Sequence, residues 1–274
     1  GYQKCGTTVM SDFLAHHPNV VHSGAKEKHY LAGLQMSGSL GHSFGMVSEC
    51  ISNGPPSNLS EYFNACFDGR VPALGEATID ITPSYGTIRN VENLIQTLKS
   101  LDDGSMEFRF IAVLREPVDR AISAYGMKRK IAQGEYAGLS DVKMDEKMHQ
   151  QLYFRGQGAL PRAIIDGEYG DALALFLKSF RKDQLLVVNS EKLNESLTWK
   201  RIFQHLGLWI PKQSEIDRWL QAANELYVSI QEKKYSKAKV EYYHASDDIR
   251  AELASHYESH NERLWDVLGS PKWW

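Results

Sequence analysis

The apolar positions of this chain switch repeatedly between the spacing of a helix and the unbroken run of a buried strand. Behind Gly6-Thr7-Thr8, the residues Val9, Met10, Phe13 and Leu14 recur at helical spacing until His17-Pro18 ends the run. Val20-Val21 reads as a short strand, and Leu59 to Phe67 as a helix with Ser60 near its start. Ala73 to Ile81 predicts a strand leading into a turn at Thr82-Pro83, and Val91, Leu94, Ile95 and Leu98 then mark an amphipathic helix. Phe108 to Leu114 is the clearest strand, a continuous apolar stretch of the kind a buried parallel sheet requires. It runs into Arg115-Glu116-Pro117, where proline suits the first turn of a helix that continues through Ala121 and Tyr125 to Lys130. Asp171 to Phe180 reads as helix and Gln184 to Asn189 as strand. Glu191 to Leu206, Ser214 to Leu226 and Ile249 to Leu268 read as further helices.

Strands alternating with helices predict an α/β fold, a single domain over residues 1–274 with a P-loop-like parallel sheet flanked by helices. Two stretches interrupt the pattern. Residues 33–58 are rich in Gly, Ser, Asn and Pro and read as a long excursion, and residues 133–150 are polar and read as an exposed lid or insertion. Gly1 already opens a phosphate-loop pattern, which ordinarily follows a buried strand. The expectation is therefore a trimmed domain that has lost that strand together with any targeting segment or membrane anchor.

Composition narrows the function classes. The chain has 274 residues, with 31 Lys plus Arg against 34 Asp plus Glu and a formal charge of −3. A nucleic-acid partner is not expected, because its usual signature is a broad basic excess. No apolar run reaches the ~20 residues of a membrane span. The three cysteines, Cys5, Cys50 and Cys66, form no disulfide framework, and their spacing does not decide whether Cys50 and Cys66 pair in an oxidising compartment. The ten histidines are scattered without a metal-binding array, so no metal centre is expected. Oligomeric state is not legible.

Two segments carry candidate chemistry. Gly1-Tyr-Gln-Lys4-Cys5-Gly6-Thr7-Thr8 places two glycines around four residues and opens a helix with hydroxyls, a turn whose N–H groups can point at a phosphate. A nucleoside-triphosphate loop has Lys directly after the second glycine. Here Thr7 takes that place and the lysine sits back at Lys4, which argues against a magnesium-dependent kinase or ATPase. The plainer alternative is a glycine turn with a solvated lysine. The second segment is Leu114-Arg115-Glu-Pro-Val-Asp-Arg120-Ala-Ile-Ser123-Ala-Tyr125. An arginine at the carboxyl end of a buried strand sits where open α/β sheets bind ligands, and Ser123 follows two helical turns on. Its alternative is an arginine that bonds carbonyls or a carboxylate at the sheet edge.

The order of these segments, with Lys26-Glu27 between them, resembles the PAPS-dependent sulfotransferase family (PAPS, 3′-phosphoadenosine 5′-phosphosulfate). More narrowly, Lys4-Cys5-Gly6-Thr7-Thr8 and Lys26-Glu27-Lys28-His29 resemble its membrane-associated carbohydrate branch, which includes the heparan sulfate and N-acetylgalactosamine 4-sulfate 6-O-sulfotransferases. Further similarity lies in Gly75-Glu-Ala-Thr78 with Pro83-Ser-Tyr85, in Gly167-Glu-Tyr169, in Gln184 to Glu191 and, more weakly, in His256 to Asn261.

The resemblance implies roles at matching positions. Lys4, Cys5, Gly6, Thr7 and Thr8 would cradle the 5′-phosphosulfate, with Lys4 also facing the leaving-group oxygen, while Arg115 and Ser123 would grip the 3′-phosphate. Glu27 would be the general base, with His29 as its rival and a plain ion pair with Lys26 or Lys28 as the alternative role. Tyr169 would border the nucleotide, and Lys234, within a basic stretch of Lys233, Lys237 and Lys239, falls where the family closes a loop over the donor; packing and a solvated lysine run are the competing readings. Lys128-Arg129-Lys130 would greet an anionic glycan or simply face solvent, and Trp209, Trp219, Trp265, Trp273 and Trp274 read as packing. The implied reaction is O-sulfation without a metal, giving adenosine 3′,5′-bisphosphate and a sulfate ester, on a carbohydrate hydroxyl in the Golgi lumen. A small hydroxylated metabolite, a protein tyrosine, a cytoplasmic location and a non-catalytic nucleotide-binding module stand as alternatives. The groove formed by residues 33–72 and 133–155 would decide between the acceptors.

Overall fold

The computed structural model describes residues 2–22, 27–28, 30–31, 55–130, 136, 138–153, 162–238, 243–269 and 272–274. Its elements run α1 (Thr7–Leu14), β1 (Val20–Val21), α2 (Leu59–Phe67), β2 (Ala77–Thr78), α3 (Ile88–Leu101), β3 (Phe110–Leu114), α4 (Pro117–Lys130), α5 (Asp141–Tyr153), α6 (Arg162–Ile165), α7 (Tyr169–Ser179), β4 (Leu185–Asn189), α8 (Ser196–His205), α9 (Gln213–Ala238) and α10 (Asp247–Leu268). The α/β class expected from the alternating pattern is present, with more helix than strand. β1 pairs with β2 and β3 with β4, both in parallel. Between these pairs lies a cavity of about 700 Å³, walled by Pro72–Thr78 on one side and Ser105–Ala112 on the other.

Three apolar clusters hold the helices in place. The largest joins Tyr2 and Cys5 to α1, β3, α8, α9 and the end of α10. Its centre is aromatic: Phe13 stacks on Trp199 with ring centroids 3.6 Å apart, and Trp219 meets Phe13 edge-on at 6.0 Å. Trp265 closes the far side against Trp273 and Trp274, so these tryptophans pack as expected. A second cluster unites Tyr30 and Leu31 with α2, α3 and α7, and a third unites α4, α5 and α10.

Several elements differ from the sequence pattern, each for a local reason. The expected strand Ala73–Ile81 shrinks to Ala77–Thr78, because Ala73 to Glu76 closes a turn: the Glu76 N–H donates to the Ala73 carbonyl and Gly75 takes a φ of 83°. The expected lid is half helix. Met144 and Met148 of α5 are fully buried against α10, and burying two such side chains at ~1.5–3 kcal/mol each outweighs a polar run elsewhere in the segment. The helix expected over 191–206 breaks at Glu195, between a 3₁₀ turn at Ser190–Asn194 and α8. Asn58 caps α2, accepting from the Glu61 N–H. α9 runs past Leu226 to Ala238.

Two histidines tie elements together in their neutral form. His17 Nε2 donates to the Trp209 carbonyl at 3.1 Å while its Nδ1 accepts from the Asn19 N–H at 3.2 Å. His205 Nε2 donates to the Phe110 carbonyl at 3.0 Å. Burial is the main cause that lowers both pKa values. A lowered folded-state pKa means the unfolded chain binds the extra proton first. The stabilisation is therefore present in full above the ordinary value of ~6.5 and is lost as pH falls from there through the lowered values. Thermal unfolding should show a midpoint that drops between pH 7 and pH 5, with a shallower drop in a His17→Gln, His205→Gln double variant. Parallel slopes for the two proteins would contradict this assignment.

Candidate active site

The loop that opens the chain is shaped by two left-handed residues. Lys4 has φ 71° and Gly6 has φ 84°, with Cys5 between them. Alternation of this kind turns successive backbone N–H groups to one side and forms an anion-binding concavity. Gly6 is also the N-cap of α1, and no side chain caps that helix. The first N–H groups of α1 therefore face the same concavity, carrying the positive end of the helix dipole. Cys5 and Thr7 are buried, Lys4 is half-buried and Thr8 is exposed. Burial pushes the Cys5 thiol up, against the opposing charge of Arg120, so Cys5 is a packing thiol rather than a thiolate nucleophile.

A buried tyrosine joins this loop to the end of β3. The Tyr169 hydroxyl donates to the Arg115 carbonyl at 2.9 Å, and Cys5 Sγ lies 3.7 Å from the Tyr169 hydroxyl oxygen. Tyr2 packs edge-on against the Tyr169 ring at 4.6 Å. Tyr169 is 1% exposed, so it holds the two candidate phosphate grips in register and does not line an open surface. Glu116 accepts from the Val118 and Asp119 N–H groups and so occupies the start of α4 itself. The Arg115 guanidinium, one-third exposed, is held only loosely by Asp119 at 4.0 Å. Ser123 is half-buried two turns along α4.

The segment carrying Glu27 is set by a polar network that sequence reading did not single out. Asp80 accepts from the hydroxyls of Thr82 (2.6 Å), Tyr85 (2.9 Å) and Tyr62 (3.1 Å). Thr82 in turn accepts from the Lys28 N–H at 2.9 Å, and the Tyr85 hydroxyl accepts from the Leu31 N–H at 3.1 Å. Burial pushes the Asp80 carboxyl up, while these bonds and the Lys28 charge act against it. The Lys28 side chain is 1% exposed, and its ammonium sits 5.2 Å over the Phe67 ring. Glu27 is half-buried next to it; His29 lies outside the described residues. An aspartate between Ile79 and Ile81 was the available signal for Asp80.

Other candidates fare differently. Arg129 is buried and paired with Asp141 at 2.5 Å, and the Lys128 ammonium lies 4.8 Å over the Tyr125 ring, so neither is a free basic face for a glycan. Lys233, Lys234 and Lys237 lie on α9 rather than on a loop, with their side chains outside the description, as is Lys239 altogether. Arg120, the second arginine of the strand-to-helix segment, is fully buried and donates to the Ala163 carbonyl; its charge faces Tyr169, Tyr257, Cys5 and Asp166. The cavity is lined by Tyr2 and by Leu31, Tyr62, Asp80 and Tyr85 of the network beside Glu27, whereas none of Lys4, Gly6, Thr8, Arg115 or Ser123 lines it. Of the cysteines, Cys5 is free and Cys66 is disulfide-bonded, while Cys50 lies outside the described residues.

Residues 1–223 match the family described as the sulfotransferase domain. Among solved structures, a sulfotransferase from Alicyclobacillus acidocaldarius aligns with a TM-score of 0.64 at 19% identity, covering 99% of this chain and 94% of that one. At that identity the likeness concerns the fold. A search of curated proteins finds no match.

Gly6 offers a direct test of the loop geometry. A Cβ there would lie 2.7 Å from Leu193 Cδ1, at a φ that costs an L-residue roughly 1–2 kcal/mol. Gly6→Ala should lower the unfolding free energy by at least about that amount and weaken binding of phosphate-bearing nucleotides. Unchanged stability together with unchanged binding would contradict the loop as drawn.

Proposed function

The chain belongs to the sulfotransferase domain family, and from that premise we propose that it moves a sulfuryl group from PAPS to a carbohydrate hydroxyl. The observation that carries the reading is the junction at Tyr169, which places the N–H-rich loop Lys4–Thr8 beside the strand end bearing Arg115. Two separated anion grips suit a donor with a 5′-phosphosulfate and a 3′-phosphate. In this reading the loop, with Lys4, Cys5, Gly6, Thr7 and Thr8, binds the phosphosulfate through its backbone N–H groups. Arg115 and Ser123 bind the 3′-phosphate, Arg115 through the paired bonds its fork provides. Tyr169 positions both grips.

The step itself is an in-line displacement. The acceptor oxygen forms a bond to sulfur as the bond from sulfur to the bridging phosphate oxygen breaks. The electron pair stays on that oxygen, giving adenosine 3′,5′-bisphosphate, and the acceptor proton passes to Glu27, with His29 as the rival base. Lys4 stabilises the charge that builds on the leaving oxygen. No step needs a metal. The Asp80 network supports this role for Glu27 by fixing the backbone that follows it, at Lys28 and Leu31.

The carbohydrate acceptor rests on the resemblance of Lys4–Thr8 and Lys26–His29 to the carbohydrate branch. The disulfide at Cys66 fits an oxidising compartment such as the Golgi lumen. No described helix is long and apolar enough to cross a membrane.

Transfer of labelled sulfate from PAPS to a panel of glycosaminoglycans, small phenols and tyrosine peptides tests the acceptor. Label should appear on a glycan, and label on phenols or peptides alone would overturn that part of the reading. Glu27→Gln should lower turnover by roughly 100-fold or more with donor binding kept. Intact turnover would remove Glu27 from the role. Arg115→Ala should weaken adenosine 3′,5′-bisphosphate binding strongly and leave 5′-AMP nearly unchanged, whereas equal losses would contradict the 3′-phosphate assignment.

A further inference from the structure

Sequence spacing gave no reason to expect a metal centre, because the histidines are scattered. Folding gathers two of them. His256 and His260 stand one turn apart on α10, so their side chains share one face. Both Nε2 atoms point at the same oxygen of Glu168, the residue that caps α7: His256 lies 2.9 Å from Glu168 Oε1 and His260 lies 3.6 Å from it. The three donor atoms all fall within 4.8 Å of one another. Zn–N and Zn–O bonds of ~2.0–2.2 Å in a tetrahedron put ligand atoms ~3.3 Å apart, so the triangle closes on an ion with small side-chain adjustments.

The scaffold beneath these residues is rigid. α7 and α10 meet backbone to backbone at Gly170, where a Cβ would lie 3.0 Å from Leu264 N and 3.2 Å from the His260 carbonyl oxygen. Glu168 sits two residues before that contact and is pressed against the His256–His260 face. The His256 side chain is only 3% exposed, while those of Glu168 (16%) and His260 (25%) leave a way in from solvent.

We propose that Glu168, His256 and His260 form a binding site for a borderline divalent transition metal of the zinc type, with water as the fourth ligand. Two imidazoles and one carboxylate suit that class, whereas magnesium and calcium favour all-oxygen shells. The ion would tie α10 to the turn that ends in Tyr169, and so would brace the tyrosine that joins the loop to Arg115. It takes no part in the sulfuryl-transfer step, and its presence does not depend on the proposed acceptor or donor.

The test uses the untagged full chain, stripped with a chelator and titrated with Zn²⁺ by calorimetry. One equivalent should bind and raise the thermal midpoint. His260→Ala removes the most exposed ligand and should weaken binding by at least the ~100-fold upper range seen for loss of outer-sphere partners. His149→Ala, which breaks an exposed His149–Glu252 pair elsewhere, should bind as the wild type does. Absence of a stoichiometric site, or equal affinity in the wild type and His260→Ala, would overturn the proposal. Should His260→Ala fail to fold, the Co²⁺-loaded wild type decides: intense visible bands of a four-coordinate ion support the site, and the weak bands of aqueous Co²⁺ overturn it.

Discussion

The Tyr169 hydroxyl, buried where the opening loop meets the end of β3, fixes the distance between the two places proposed to hold the anionic ends of the donor. It donates to the backbone of Arg115, not to its side chain, so the guanidinium remains available while its root is anchored. Cys5 and Tyr2 pack on the same ring and carry the loop with them. Each bond contributes only about 1 kcal/mol net. The position is nonetheless decisive, because a buried hydroxyl left without its acceptor costs more than the bond gains. Everything behind this junction serves to hold it: Phe13, Trp199 and Trp219 under the loop, and α10 closing over α7 at Gly170.

Much of this was legible in the sequence because it was local. The glycines and hydroxyls of residues 1–8, the apolar strand ending at Leu114 and the arginine after it are short-range signals, and the elements formed where those signals placed them. What escaped was long-range. Asp80 reads as an oddity between two isoleucines until Tyr62, Thr82 and Tyr85 converge on it. His256 and Glu168 are 88 residues apart and meet only because α7 and α10 pack. The polar run after residue 133 suggested a lid, but Met144 and Met148 sit four apart and their burial settled the matter. The basic triplet at 128–130 illustrates the opposite error: Lys128 and Arg129 are engaged within the fold by aromatic rings and by Asp141.

The family assignment and the geometry bear on different parts of the account. Membership in the sulfotransferase domain family establishes the class of chemistry. In the proposed reading, a chain of this net charge binds a highly charged donor through backbone N–H groups and one anchored arginine rather than through a basic surface. The geometry also separates residues that touch substrate in the proposed reaction, such as Glu27 and Lys4, from those that position them, such as Asp80 and Tyr169.

The central claim is a two-ended grip on a nucleotide bearing both a 5′ and a 3′ phosphate. Calorimetric titration of the wild-type protein with adenosine 3′,5′-bisphosphate, 5′-AMP and magnesium-free ATP tests it most directly. The account predicts tight binding of the bisphosphate and weak binding of the other two. Equal affinity for all three nucleotides would contradict it.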